Sequence, residues 1–285
     1  MKKVVLLALV AFAACAAFAF DTESIEPASR VNSYTKTDYA VISKFGEYFR
    51  TPTVKHIHSY KNGKEVEVAS YTVKKASGSA ESKEMLVDKT VFAYNAAGKL
   101  ESASYYDSSE KLIWKSVKEY GADGTIASES EYNADNVLAG KTIYKYETGK
   151  VTESYYNGAG ALLERIVTKL DTATGRPVEE FLYFADGNLD RLSLTRYTDD
   201  GKISQVEVWE GAGHPSSKKC YVYERTTGAV KEIQSFDGQG NLFERVIYNN
   251  DAKGNPQKVY KYSVSRKFGE VVNELKFTAD YSFGN

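Results

Sequence analysis

His56 and His58, in Lys55-His56-Ile57-His58-Ser59, are two residues apart, a spacing that puts both imidazoles on one face of a β-strand, as a shared metal ion would require. A third ligand is missing. The other histidine, His214, falls in Gly213-His214-Pro215 beside a turn, so the pair reads as polar strand residues and no metal site is expected. Cys220 lies in Lys219-Cys220-Tyr221-Val222-Tyr223, a strand-like run in which cysteine is expected to serve as a small buried hydrophobe rather than as a nucleophile. Asp199-Asp200-Gly201 and Asn250-Asp251 resemble fragments of calcium loops, but no bidentate glutamate closes a twelve-residue loop, and turn formation accounts for them better. Glu179 and Glu180 are adjacent, so on a strand they point to opposite faces and cannot share one bond as acid and base. The chain holds no nucleophile elbow, phosphate-binding loop, dinucleotide fingerprint, H-E-x-x-H or C-x-x-C motif. Catalytic residues and cofactors are therefore expected to be absent.

The elements that carry these residues follow from a repeat. An aromatic residue, then glycine, then often a polar residue and an aliphatic recurs at Tyr94 to Leu100, Tyr120 to Ile126, Tyr146 to Val151, Tyr156 to Leu162, Phe184 to Leu189, Tyr197 to Ile203 and Phe236 to Leu242. Thirteen turn positions, 98, 111, 124, 136, 149, 160, 175, 187, 201, 213, 228, 240 and 254, are spaced by 13 residues on average. That period fits one strand plus one turn. Glycine and asparagine are wanted at such turns because the backbone must take a positive φ, which a side chain resists. Between turns, Lys141 to Tyr146 and Lys258 to Tyr262 alternate tyrosine with lysine or an aliphatic residue, the pattern of a strand with two different faces.

Composition agrees with that reading. With 22 Tyr, 21 Gly and five Pro among 285 residues, the chain leans toward strands joined by tight turns. The fold class expected is all-β, a long antiparallel meander of hairpin repeats, coiled or solenoid-like, since open sheets rarely exceed about ten strands. Related segments flank it. Tyr39-Ala-Val41-Ile-Ser-Lys44-Phe45-Gly46-Glu47 and Tyr262-Ser-Val264-Ser-Arg-Lys267-Phe268-Gly269-Glu270 agree at six positions, and they are expected to cap the array, or to meet if the sheet closes. The units expected are a signal peptide over 1–19, a leader and flanking β segment over 20–89, the repeat array over 90–262 and a capping segment over 263–285. Within the leader, Glu23 to Arg30 reads as mobile, and Ser77 to Lys83 as a polar loop.

The repeats resemble the tyrosine-rich YD repeats of the Rhs type and the Tyr-x-x-Gly hairpin repeats of the MORN type. The resemblance covers about Thr90 to Tyr262, with a strict Tyr-Asp pair at Tyr106-Asp107 and a near relative at Phe236-Asp237. It implies a hairpin-built β architecture in a bacterial envelope or secreted protein. The long shell, autoproteolytic core and toxin-like domain of large Rhs proteins are not seen, so their encapsulation activity is not carried over.

Lys2 and Lys3, the uncharged apolar run from Val4 to Ala19, and Ala17-Phe18-Ala19 read as a secretory signal cleaved near Phe20. A looser alternative, Phe12-Ala13-Ala14-Cys15, would make a lipoprotein anchored through Cys15. The exported chain is expected in the periplasm or at the cell surface. Loss of Lys2 and Lys3 leaves 35 basic against 38 acidic residues, with no like-charge cluster to hold nucleic acid.

Three classes of function remain. The abundant aromatics favour a non-enzymatic binding or scaffolding module whose partner is an envelope protein or a glycan, with Tyr144, Tyr146, Tyr260 and Tyr262 as contact residues exposed on one face. The alternatives are an outer-membrane β-barrel and a glycan-active enzyme. A barrel would need a continuous outward apolar band, which Gln205 and Glu207 on one face, and Lys202, Ser204 and Glu210 on the other, interrupt.

Overall fold

The structure, a computed structural model, describes residues 25–28, 30–75, 82–211 and 213–284. The signal segment, Cys15 and residues 77–81 of the polar loop lie outside the described residues. Every regular element among the described residues is a strand. The first nine are β1 (Ser33–Lys44), β2 (Glu47–Lys61), β3 (Lys64–Lys75), β4 (Ser82–Tyr94), β5 (Leu100–Asp107), β6 (Leu112–Tyr120), β7 (Ile126–Asn133), β8 (Leu138–Glu147) and β9 (Lys150–Asn157). The second nine are β10 (Leu162–Leu170), β11 (Pro177–Phe184), β12 (Leu189–Tyr197), β13 (Ile203–Trp209), β14 (Ser217–Tyr223), β15 (Val230–Asp237), β16 (Leu242–Asn250), β17 (Pro256–Lys267) and β18 (Glu270–Gly284).

Each strand pairs antiparallel with the next, and β1 pairs with β18 from Ser33↔Gly284 to Ala40↔Phe277. The meander is therefore a closed 18-stranded barrel. This corrects the coiled or solenoid-like expectation: an open sheet of this size would leave two long unpaired edges, and joining β1 to β18 satisfies both. The flanking segments are staves of the wall. Tyr39 to Glu47 forms much of the β1–β2 hairpin and Tyr262 to Glu270 much of the β17–β18 hairpin, and these hairpins are neighbours because the barrel closes. The stretch from Ile25 to Ala28, read as mobile, is anchored: the Ile25 N–H donates to the Tyr34 hydroxyl at 3.2 Å and the Ala28 N–H to Asn255 Oδ1 at 2.7 Å.

The turns fall where the glycine spacing put them. Gly98, Gly124, Gly149, Gly160, Gly187 and Gly240 all have positive φ, and so does Asn136; near position 111 the left-handed residue is Glu110, one place earlier. Turns after odd-numbered strands form one rim, here the odd rim, and those after even-numbered strands form the even rim. Along the even rim the aromatic of the repeat has a specific task. Tyr94, Tyr120, Tyr197 and Tyr223 donate their hydroxyls to the carbonyls of Glu65, Leu100, Pro177 and Ile203 at 2.6 to 2.7 Å. A cation from the preceding turn, Lys64, Lys99, Arg176 or Lys202, lies over the same ring at 5.0 to 5.5 Å. Lys64 and Lys99 continue past the ring to donate to the Gly98 and Gly124 carbonyls, each at 2.5 Å. At these four steps an even turn is thus fastened to the next by a tyrosine reaching back and a cation reaching forward.

Candidate functional site

The ladder register sorts side chains onto two continuous faces around the ring. One face carries Tyr34, Lys36, His56 and His58, then Ser116, Lys118, Glu129, Glu153, Thr168, Glu180 and Ser193, and returns through Val206, Ile233, Val246, Val259 and Ala279. It holds Tyr34, Lys36, Val259 and Thr168, four of the five most fully buried large side chains among the described residues, together with the strongly desolvated Glu153, Glu180 and Tyr221, and is the concave, lumenal face.

That wall has two arcs. From β14 through β18 to β1 it has an apolar centre, built on Tyr34, Ile233, Val246, Tyr248, Val259, Ala279 and Tyr281, with Ile25 of the leader packed against it, and the Lys261–Glu244 ion pair at 2.7 Å stands on the same face toward the odd rim. From β6 to β12 it is polar and acidic. Lys118 Nζ is 2.7 Å from Glu129 Oε2, both largely buried, and the Tyr155 hydroxyl donates to Glu131 Oε2 at 3.3 Å. Burial foremost, then repulsion from Glu180 and Glu129, pushes the Glu153 carboxyl up to about 7 against the pull of Lys118. Glu180 is raised by burial with Arg191 opposing, and Glu131 by burial with the Tyr155 hydrogen bond opposing. Glu129, Glu131, Glu153 and Glu180, with Glu164 opposite Tyr155, against Lys118 and Arg191 make this arc a surface that attracts protons and cations. None of Lys118, Glu129, Glu131 and Glu153 stands out in the sequence, although folding the hairpin about Gly124 brings Lys118 opposite Glu129.

A second lumenal cluster surrounds the histidine pair. His56 and His58 share one face of β2, as their spacing requires, opposite Lys36 and Tyr34. His58 is stacked on Tyr34 with ring centroids 4.1 Å apart, and its Nδ1 lies 2.6 Å from Glu65 Oε1. Its Nε2 is buried without a hydrogen-bond partner among the described residues. His56 Nδ1 lies 3.2 Å from Ser70 Oγ, and Nε2 lies 3.6 Å from Asp38 Oδ2. Lys36, 1% exposed, is 3.2 Å from Asp38 Oδ1. No group of three or more His, Cys, Asp or Glu among the described residues has metal-binding geometry, and His214 sits in the β13–β14 turn.

The four tyrosines named from sequence do not form one surface. Tyr144 and Tyr146 lie on the lumenal face of β8, where Tyr144 is opposite Glu153; Tyr260 and Tyr262 lie on the outward face of β17, where Tyr262 is opposite Arg245. The expectation of a shared face is corrected, because the two strands present the same tyrosine alternation in opposite phase relative to the lumen. Cys220 also faces outward, opposite Gln205 and Gln234, and is half-buried rather than enclosed. Glu179 and Glu180 do take opposite faces, Glu179 pairing outward with Lys169 at 2.7 Å.

The outward wall is ionic along many strands. Lys115, Lys141, Arg165, Glu207 and Arg245 face out, and opposed cation–aromatic pairs recur as Lys89 over Tyr106 at 5.7 Å, Arg165 over Tyr183 at 5.2 Å and Lys218 over Phe236 at 4.7 Å. The large exposed apolar side chains among the described residues gather toward the odd rim, with Ile143, Tyr146 and Val222 the exceptions. Among the described residues there is no helix long and apolar enough to cross a membrane, a statement that does not bear on crossing by strands.

No protein-family model matches the sequence, and no curated protein matches it. Among solved structures the chain is similar to a porin-like protein from Bacteroides uniformis, at 9% identity and a TM-score of 0.48, covering 90% of this chain and 99% of that one. A porin-like protein from Bacteroides vulgatus aligns at 12% identity and a TM-score of 0.30 over 89% of this chain and 98% of that one. The TcdB2-TccC3 structure aligns at 11% identity and a TM-score of 0.30 over 78% of this chain, which spans 16% of that much longer chain.

Proposed function

We propose that the chain is an exported bacterial envelope protein that works as a hollow, non-enzymatic β-barrel, with the lumen rather than a tyrosine-rich sheet surface as its working face. The observation that carries this reading is closure through β1 and β18, since a barrel of about this strand number leaves an aqueous channel where smaller ones are filled. Closure favours the barrel alternative over the sheet-surface module. The lumen then offers an apolar arc and an acidic arc to a solute that is amphipathic or cationic. Its hairpin construction also suits the resemblance to YD and MORN-type repeats, which we keep as part of this proposal.

A second reading, a barrel embedded in the outer membrane along its height, is favoured by the even number of antiparallel strands in a closed ring. The charged outward residues weigh toward a barrel whose wall stands in water. Fractionation of the native host tests both: an embedded barrel resists alkaline carbonate and needs detergent, whereas an aqueous barrel is released. N-terminal sequencing of the released chain should begin near Phe20. Binding of small organic cations to the purified chain, lost in an E153Q/E180Q variant of unchanged fold, is the expected result. Turnover of a glycan or peptide, or an absence of lumenal binding, would overturn the proposal.

A further inference from the structure

Three hairpins have two-residue turns in which both residues have positive φ: Phe45-Gly46 (56° and 81°), Asn62-Gly63 (55° and 76°) and Phe268-Gly269 (54° and 87°). This conformation favours asparagine followed by glycine, and the hairpin on the even rim uses that pair. On the odd rim phenylalanine takes the asparagine's place twice, a bulky residue in a backbone region it disfavours. Neither ring is covered: Phe45 is 102% and Phe268 106% exposed. Backbone strain and an exposed ring are both unfavourable for the isolated fold, so packing within the chain does not account for these residues.

Their hairpins also project. The β1–β18 ladder ends at Ala40↔Phe277, the β2–β3 ladder begins at Val54↔Thr72, and the β16–β17 ladder ends at Glu244↔Ser263. Beyond those points β1–β2 continues by itself to Lys44↔Glu47, and β17–β18 to Lys267↔Glu270. Two fingers therefore stand side by side above the wall, each ending in Lys-Phe-Gly-Glu. Ile42, Phe49 and Val271 add exposed apolar surface behind the tips, and Ile113, Leu163 and Phe243 extend it around the rim.

We propose that these two finger tips are a membrane-contact surface on which Phe45 and Phe268 enter the interfacial zone of a phospholipid bilayer. The shape of the apolar surface selects this occupant. With 18 tilted strands ~4.8 Å apart, the rim is more than about 85 Å around, and its apolar residues are spread along that circle rather than gathered in one groove. A bilayer is a flat apolar partner of unlimited lateral extent, and it can receive two tips that stand above the wall without offering a shaped groove. Charge agrees. At the ends of the two fingers Lys44, Arg266 and Lys267 outnumber Glu47 and Glu270, whereas the lower odd turns are acidic, so the basic charge sits beside the two phenylalanines. Exposed aromatics flanked by basic residues suit the boundary between acyl chains and anionic headgroups.

This inference is independent of what the lumen binds. The exported chain should float with vesicles of phosphatidylglycerol and phosphatidylethanolamine, and more weakly with phosphatidylcholine alone. F45S/F268S, with an unchanged circular dichroism spectrum, should lower vesicle binding about tenfold or more. F45W/F268W should retain binding, and its emission should shift to the blue on adding vesicles. Flotation unaffected by the serine pair, no flotation of the parent chain, or a serine-sensitive dimer that ignores vesicles would overturn the proposal while leaving the lumenal reading standing.

Discussion

The Tyr120 hydroxyl donates to the Leu100 carbonyl at 2.6 Å while Lys99, the neighbour of Leu100, lies over the Tyr120 ring and reaches the Gly124 carbonyl. One aromatic, one cation and one glycine therefore tie two consecutive even turns together, and the contact spans two of the 13-residue steps of the sequence.

Removing the contact should cost stability in a coupled way. Tyr120→Phe loses one hydrogen bond, worth about 1 kcal/mol, and Lys99→Met should lose about as much. Because both residues serve one turn, the double variant should cost less than the two single losses combined. Urea unfolding of the four chains measures the coupling; strict additivity would show that the tyrosine and the lysine act separately.

Two glycines separate backbone strain from steric approach. Gly187 has φ of 87° with nothing near the position of an added Cβ, so Gly187→Ala should cost only strain, about 1 kcal/mol. At Gly124 an added Cβ would also meet Lys99 Nζ, so Gly124→Ala should displace the lysine and cost more. Valine should be worse than alanine at Gly187 and at Gly240, whose φ is 79°. Equal midpoints for parent and both Gly187 and Gly240 valine variants would contradict the turn assignment.

Acidification should stabilise the acidic arc. Glu153 titrates near 4.5 when unfolded and at about 7 when folded, so the native state holds the proton more tightly. A raised folded value means that this contribution is fully present below about pH 4.5 and is lost as the pH climbs through about 7. Between pH 8 and pH 5 the barrel should gain on the order of 2 kcal/mol from this group, and Glu153→Gln should flatten most of that dependence. Thermal unfolding at several pH values checks it; a parent chain that is more stable at pH 8 than at pH 5 would contradict the assignment.

Cys220 should be a sluggish thiol. Burial first, then Glu207, pushes its pKa up against the effect of Lys218. Alkylation of the native chain at pH 8 should run well below the rate of the urea-unfolded chain, and equal rates would show that the thiol is not shielded.

Local chemistry makes the strands and turns legible from residues alone. Positive φ is a property of a few consecutive residues, so Gly98, Gly124, Gly187 and Gly240 mark their turns without reference to the rest of the chain. Strand alternation is equally local, which is why His56 and His58 share a face and Glu179 and Glu180 do not. Tertiary structure decided the rest. Whether β1 reaches β18 depends on twist and tilt summed over 18 strands, and no single repeat contains that sum. Closure in turn defines a lumen, and only then does one tyrosine pattern point inward at Tyr144 and outward at Tyr262. The acidic arc is visible only in the ladder, because Lys118, Glu129, Glu153 and Glu180 come from four strands and their shared burial exists only when the ring is complete.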